Sequence, residues 1–231
     1  MLTIVVILVV SGALLLGAAW GIYWKLPKGL EGFLVALAGG ALVISAVLEL
    51  IEPATEQTSL WSAFALVLAG AVVFTVLDYL VDETWGGNRG GGLLAAITLD
   101  GIPENLALGV ALIGSGPLQV AALSGAIFLS NLPEAAGGAK EIASGGRSKG
   151  KVFALWGATA ALLSAAALAG NFFLAGVPES ALALIRCFAG GAVVASLATE
   201  VFPKAFKEDS YLAGIATTLG FILALYLNQL S

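Results

Sequence analysis

Two short phrases in this chain place carboxylates and a proline inside otherwise apolar sequence. The first reads Leu-Asp-Gly-Ile-Pro-Glu over residues 99–104, and the second reads Leu-Ser-Asn-Leu-Pro-Glu over residues 129–134. A carboxylate in a membrane-spanning segment costs about 3 kcal/mol on insertion scales, so its presence calls for a function. Clustered oxygen ligands suit a metal cation, and the five candidate ligands are Asp100, Glu104, Ser130, Asn131 and Glu134.

Helical spacing would bring the candidate ligands of each phrase onto one face. Residues i and i+4 share a face, so Asp100 would lie beside Glu104, and Ser130 beside Glu134. A proline inside a helix also leaves the carbonyl four residues earlier without its N–H donor. At membrane depth that carbonyl needs another partner, such as a metal ion or a water molecule. The phrases therefore predict one cation site shared by two helices.

The same phrases have two other interpretations. Asp or Asn followed by Pro-Glu also begins many ordinary helices, with a capping side chain, an early proline and an acid at the positive end of the dipole. The helices would then start near residues 100 and 131, and what remains would be short for a span. Alternatively, each helix is discontinuous and still binds an ion. The sequence leaves these alternatives open.

The composition around the phrases predicts an integral membrane protein. Of the 231 residues, 59% are hydrophobic and 11% are charged, and the mean hydropathy is +1.01. A soluble domain carries roughly 25% charged residues. The net charge is −5, and no basic face is present for nucleic acid. The chain has no histidine, and its single cysteine, Cys187, excludes an intrachain disulfide.

Clusters of charged residues, proline and glycine separate the apolar runs of this chain, and the connections are short. The sequence therefore predicts a single membrane domain over residues 1–231. A spanning helix needs about 20 mostly apolar residues. The first apolar run is expected to be a retained span, because no Lys or Arg precedes it as in a signal peptide. The predicted spans cover residues 2–24, 30–51, 60–80, 92–114, 118–140, 152–174, 180–202 and 210–230.

The basic residues predict the orientation. Nine of the ten Lys and Arg residues fall in odd-numbered connections, and the tenth, Arg186, lies in the seventh span. By the positive-inside rule the odd connections are cytoplasmic and both termini lie outside. The short connections are typical of a prokaryotic inner membrane, so we expect a multi-pass cell-membrane protein embedded in the lipid bilayer.

An internal repeat predicts how the spans are arranged. Residues 38–49 resemble residues 189–200, so the second span aligns with the seventh, which runs the opposite way. Small residues alone would let helices pack closely, but they do not explain a glutamate at the same offset, Glu49 and Glu200. The predicted fold is therefore all-α, with eight transmembrane helices in a 3+2+3 inverted repeat, as in many transporters.

Four charged residues outside the phrases are candidates for an ion pathway. Glu49 is expected near the outer face and Glu200 near the inner face. Arg186 either extends to the interface or pairs with an acid such as Glu49 at the outer mouth. Asp78 lies toward the inner end of the third span, either as a solvated interfacial residue or as part of an exit path.

Together these features resemble the ZIP (Zrt-, Irt-like) family of metal transporters, as a divergent, histidine-free member. The fourth helix of that family typically reads His-Asn-x-Pro-Glu-Gly, and the fifth reads Gln-Asn-x-Pro-Glu-Gly. The resemblance covers the whole chain. It implies that Glu104 and Glu134 match the metal-binding carboxylates and Asn131 the amide ligand. Asp100 then occupies the place of the histidine, and Ser130 that of the glutamine.

The chain departs from the family pattern at several positions. Gly101 stands where the fourth helix has asparagine, and Asn105 and Ala135 replace the glycines that follow each glutamate. Some family members bind a second metal with an acid from the sixth helix. Residues 152–174 contain no ionisable side chain, and Ser164 is the polar residue nearest that place.

The resemblance implies transport of a divalent cation (zinc, manganese or iron(II)) by alternating access, with the ion held between helices 4 and 5. An all-oxygen site suits manganese or iron(II) better than zinc, which favours Cys and His. No resident cofactor is expected. The alternative is a ZIP-like protein that does not transport and acts as a metal sensor or structural partner.

Two further expectations concern catalysis and assembly. No enzyme activity is expected, because the nearest approach to a nucleophile with a base is Ser130 with Glu134. Stripes of small residues at 135–139 and 165–169 would permit tight packing between two copies, as a homodimer.

Overall fold

All regular secondary structure in the described part of the chain is helical. The computed structural model describes residues 2–24, 27–85, 90–114, 116, 120–208 and 211–230, with side chains for all of these except 2, 82, 84, 85, 90–97, 99 and 100. No strand occurs in these ranges, and the prediction of an all-α chain with eight helices is confirmed. The helices are α1 Leu2–Tyr23, α2 Lys28–Gln57, α3 Leu60–Trp85, α4 Gly90–Ala111, α5 Ala121–Ser144, α6 Lys149–Leu174, α7 Glu179–Glu208 and α8 Ala213–Gln229.

Five helices, α1, α2, α3, α6 and α7, are long and apolar enough to cross a membrane, and α8 is apolar but shorter. Large apolar side chains lie exposed on the outer helices, and Trp61 of α3 and Phe173 of α6 are each 82% exposed. Water does not tolerate so much exposed apolar surface, whereas lipid does. These features indicate a membrane protein.

The two prolines of the motif phrases lie inside continuous helices. Pro103 is within α4, and Pro133 is within α5, which begins ten residues before Asn131. The interpretation of the phrases as helix starts is therefore wrong, and neither helix is discontinuous at its proline. The carbonyls of Leu99 and Leu129 lack their usual helical donor, because proline has no N–H.

Helices α2 and α7 run past the predicted ends at residues 51 and 202. Each contains a π-helical stretch, Ala46–Ile51 in α2 and Leu197–Val201 in α7, directly before a proline-containing final segment. The N–H of Glu52 bonds to the carbonyl of Val47, and the N–H of Phe202 bonds to that of Leu197. The wider turn lets each helix continue through its proline, whereas the sequence predicted that each span would end before that proline.

The helices α4 and α5 lie at the centre of the packing. Helix α5 packs against α1, α2 and α8, and α4 packs against α6, α7 and α3. Helices α2 and α7 run antiparallel, since Lys28 at the start of α2 forms a 3.3 Å ion pair with Glu208 at the end of α7.

Glycines allow the closest helix pairs to touch. A Cβ added at Gly40 of α2 would overlap the Thr217 carbonyl of α8, and one at Gly191 of α7 would overlap the Val67 carbonyl of α3. Small residues let helix backbones approach within van der Waals contact in this way. These contacts fix the bundle that positions the motif side chains.

Candidate functional site

A cavity lies where the start of α2, the end of α5 and the end of α7 meet, and we call it the Glu134 cavity. Its volume is about 400 Å³, and Ser130 and Glu134 are part of its wall. Carboxylates outnumber ammonium groups around it, so its negative charge suits a cation. The charged side chains that line it are Glu31, Glu134, Glu141, Glu200, Glu208, Lys204 and Lys207.

The two glutamates of the motif phrases lie within electrostatic range of each other, one on α4 and one on α5. Glu104 is only 4% exposed, and the carboxylate of Glu134 is close enough to repel it electrostatically. Glu134 is half-buried, and two like charges in such surroundings are unfavourable unless a cation or a proton offsets them. The pair is therefore the strongest candidate for the centre of a cation site.

The polar neighbours of this pair are buried and held by hydrogen bonds. Asn131 is 2% exposed, and its Nδ2 donates to the Val10 carbonyl of α1 at 3.3 Å. That bond uses the amide nitrogen and leaves the oxygen, the atom that binds cations, outside it. Asn105 is 1% exposed, and its Nδ2 donates to the Gly101 carbonyl at 2.9 Å.

The structure brings some of the predicted ligands together and leaves one undetermined. Ser130 and Glu134 share the Glu134 cavity, and Glu104 lies within electrostatic reach of Glu134. The side chain of Asp100 lies outside the described residues. Among the side chains that are described, no group of three or more Cys, Asp or Glu residues is placed to hold a metal ion.

Two positions that the sequence analysis singled out, Gly101 and Ser164, have a packing explanation. A Cβ at Gly101 would clash with the Leu163 side chain of α6, so the asparagine of the family pattern would not fit here without a shift of Leu163. Ser164, the next residue of α6, shares a 2.6 Å hydrogen bond with Ser11 of α1. Helix α6 therefore contributes a leucine and a serine that pack and bond within the bundle.

The structure adds one residue that the sequence reasoning missed, Glu31. It is 9% exposed, and its carboxylate lies against the backbone of Gly137, one turn beyond Glu134 on α5. In the sequence Glu31 follows Lys28 at a helix start, where a solvated acid is ordinary. The small residue at 137 was the available signal, because only a glycine leaves room for a side chain at that point.

A second cavity of about 400 Å³ lies at the opposite ends of the same helices, and we call it the Glu49 cavity. Glu49 and Arg186 both line it. Glu49 Oε1 accepts a 2.9 Å hydrogen bond from the N–H of Leu123, in the first turn of α5. Its Oε2 and the Nε of Arg186 are buried without a hydrogen-bond partner among the described residues.

The four pathway candidates thus fall in three places. Glu200 lines the Glu134 cavity, whereas Glu49 and Arg186 line the other. Asp78 is half-buried on α3 and belongs to the lining of neither of these two cavities. The acids of the two aligned spans are therefore separated, one at each end of the bundle.

Comparison with models of known protein families finds no match for this chain, and comparison with curated proteins finds no relative.

Proposed function

We propose that this protein is a ZIP-like transporter that moves a divalent metal cation across the cell membrane by alternating access. The observation that carries the proposal is the pair formed by the buried Glu104 and the half-buried Glu134, with Glu134 in the wall of a negatively charged cavity. Ser130 and Asn131 would complete the oxygen ligands together with Asp100. The cation would offset the repulsion that the carboxylates experience when the site is empty.

Reciprocal contacts support the proposed 3+2+3 inverted repeat. In the aligned motifs, Gly39 of α2 packs against Val201 and Phe202 of α7, and Gly190 of α7 packs against Leu50 and Ile51 of α2. Each glycine thus contacts the π-helical end of the other helix. The other helix pairs that the repeat relates also make equivalent contacts. Helix α2 packs on α8 and its counterpart α7 packs on α3, while α1 packs on α5 and its counterpart α6 packs on α4.

The positions of the cavities favour one state of the transport cycle. The Glu134 cavity reaches two of the proposed ligands, Ser130 and Glu134, whereas the wall of the Glu49 cavity includes none of the four ligands whose side chains are described. The Glu134 cavity opens beside the odd-numbered connections. These carry most of the basic residues, and the positive-inside rule assigns them to the cytoplasm. We infer that the structure corresponds to an inward-open conformation.

Carboxylate, amide and hydroxyl ligands favour a hard or borderline cation over zinc. We therefore expect manganese or iron(II) to compete well with zinc for transport. We also propose that both termini lie outside the cell and that the membrane is a prokaryotic inner membrane.

Uptake of Mn²⁺ into proteoliposomes tests the function. The Glu134→Gln variant keeps the size of the side chain but removes a ligand charge, and we expect its uptake to fall by about a hundredfold. Glu141→Gln is the matched control, because Glu141 lies at the exposed end of the same helix and cavity. Normal uptake by a folded Glu134→Gln protein would refute the site, and zinc uptake far exceeding manganese uptake would refute the cargo preference.

A further inference from the structure

Lys204 is a cation built into the Glu134 cavity. It lies on the final segment of α7, directly after Pro203, and both residues line the cavity together with Glu134. Its side chain is half-buried, whereas that of Lys207, one turn later, is exposed. Lys204 is thus the ammonium group of this cavity that lies nearer to the protein interior.

The charge of Lys204 acts on two carboxylates at different depths. Its ammonium group attracts the carboxylates of Glu134 and Glu31, and all three side chains line the same cavity. Glu31 lies against Gly137, one helical turn from Glu134 along α5. In the described part of the chain, Lys204 forms no close ion pair with either of them, so its attraction acts across the cavity.

We propose that Lys204 is the resident counter-ion of the Glu134 cavity, which offsets Glu134 and Glu31 when no metal is bound and competes with the cargo cation for them. This inference rests on the proposed function. A divalent cation that enters must overcome repulsion by the ammonium group, and the same repulsion promotes its release. The lysine therefore lowers affinity on this side and keeps the empty site compensated.

Among the described residues that line it, the Glu49 cavity has no equivalent lysine. Counting along the repeat, Lys204 of α7 corresponds to the region of Pro53 and Ala54 in α2, and Ala54 is fully buried. The cation of the Glu49 cavity, Arg186, comes from the first half of α7 instead. A counter-ion that follows the π-helical stretch is therefore a feature of the Glu134 cavity alone.

Calorimetric titration of Mn²⁺ and Cd²⁺ into the purified full chain at low ionic strength tests the proposal. Lys204→Met should tighten binding by about tenfold, because it removes a positive charge that acts across a cavity of intermediate dielectric. Lys204→Arg keeps the charge and should bind like the wild type. Lys207→Met is the matched control and should change affinity by less than about twofold, because exposed charges are screened by solvent.

The outcomes separate this inference from the proposed function. Tighter metal binding by Lys204→Met, without tighter binding by Lys207→Met, would support the counter-ion. Added salt should weaken metal binding in both the wild type and the Lys204→Met variant. Unchanged affinity in Lys204→Met, or equal tightening in Lys207→Met, would overturn it while the function stands. Retained binding in Glu134→Gln would overturn the function itself. Should Lys204→Met fold poorly, Lys204→Gln gives the same comparison with a polar side chain.

Discussion

The two cavities occupy opposite ends of the same helices and differ in what they reach. The Glu134 cavity contains five carboxylates, two lysines and two of the proposed ligands. Among its described lining residues, the Glu49 cavity contains Glu49, Glu179 and Arg186 as the charged ones. Glu49 bonds to Leu123 in the first turn of α5, whereas Ser130 lies farther along the same helix. One cavity thus leads to the proposed site, and the other ends at the N-terminus of the helix that carries it.

Glu49 explains why the second cavity stops where it does. Its carboxylate accepts the N–H of Leu123 and so joins α2 to the first turn of α5. A negative group at this point satisfies one of the unpaired helical N–H groups and complements the helix dipole. Helices α2 and α5 would have to separate at this bond before the Glu49 cavity could extend to the proposed ligands.

The largest effect is expected from cysteine labelling of the two cavities. In a Cys187→Ala background, Leu48→Cys places a thiol in the Glu49 cavity and Thr199→Cys places one in the Glu134 cavity. A membrane-impermeant maleimide added to intact cells should modify Leu48→Cys at least about tenfold faster, because thiol reactivity requires access. After lysis the two rates should become similar.

The Cys187→Ala background serves as the labelling control, because Cys187 is the single cysteine of the sequence and its removal leaves no thiol to react in either condition. Fast modification of Thr199→Cys from outside would mean that the Glu134 cavity does not face the cytoplasm. That result would reverse the orientation on which the inward-open assignment depends.

The next largest effect is a loss of stability at the glycine contacts that join α2 to α8 and α7 to α3. Gly40→Ala and Gly191→Ala should each destabilise the protein by about 1–3 kcal/mol, because the new methyl groups overlap backbone carbonyls on α8 and α3. Gly157→Ala is the matched control on α6, since nothing lies within 4 Å of the added Cβ. It should stabilise by up to about 1 kcal/mol through helix propensity.

Thermal unfolding in detergent measures these three variants. The proposed repeat further requires that Gly40→Ala and Gly191→Ala cost similar amounts, because the two glycines hold corresponding places. A large cost at one and none at the other would show that the two halves of the bundle are not equivalent in energy.

The sequence predicted the helices better than the relations between them. Long apolar runs gave the eight helices, because a span must satisfy its backbone internally. The continuation of α2 and α7 through Pro53 and Pro203 was missed, since a π-helical turn leaves no simple compositional mark. The spacing within each phrase follows from one helix, but the approach of Glu104 to Glu134 depends on how two helices pack. Glu31 was missed for the same reason.

The smallest effect is expected at the bond that closes the Glu49 cavity. Glu49→Ala leaves the buried N–H of Leu123 without its acceptor and should cost about 1–2 kcal/mol of stability. Glu49→Gln keeps a carbonyl oxygen at that place and should cost less than about half as much. Unfolding by heat in detergent distinguishes them. Equal losses in the two variants would show that the charge of Glu49, rather than its hydrogen bond to α5, holds this end of the bundle together, and the outer end would then resemble the inner one in being governed by charge.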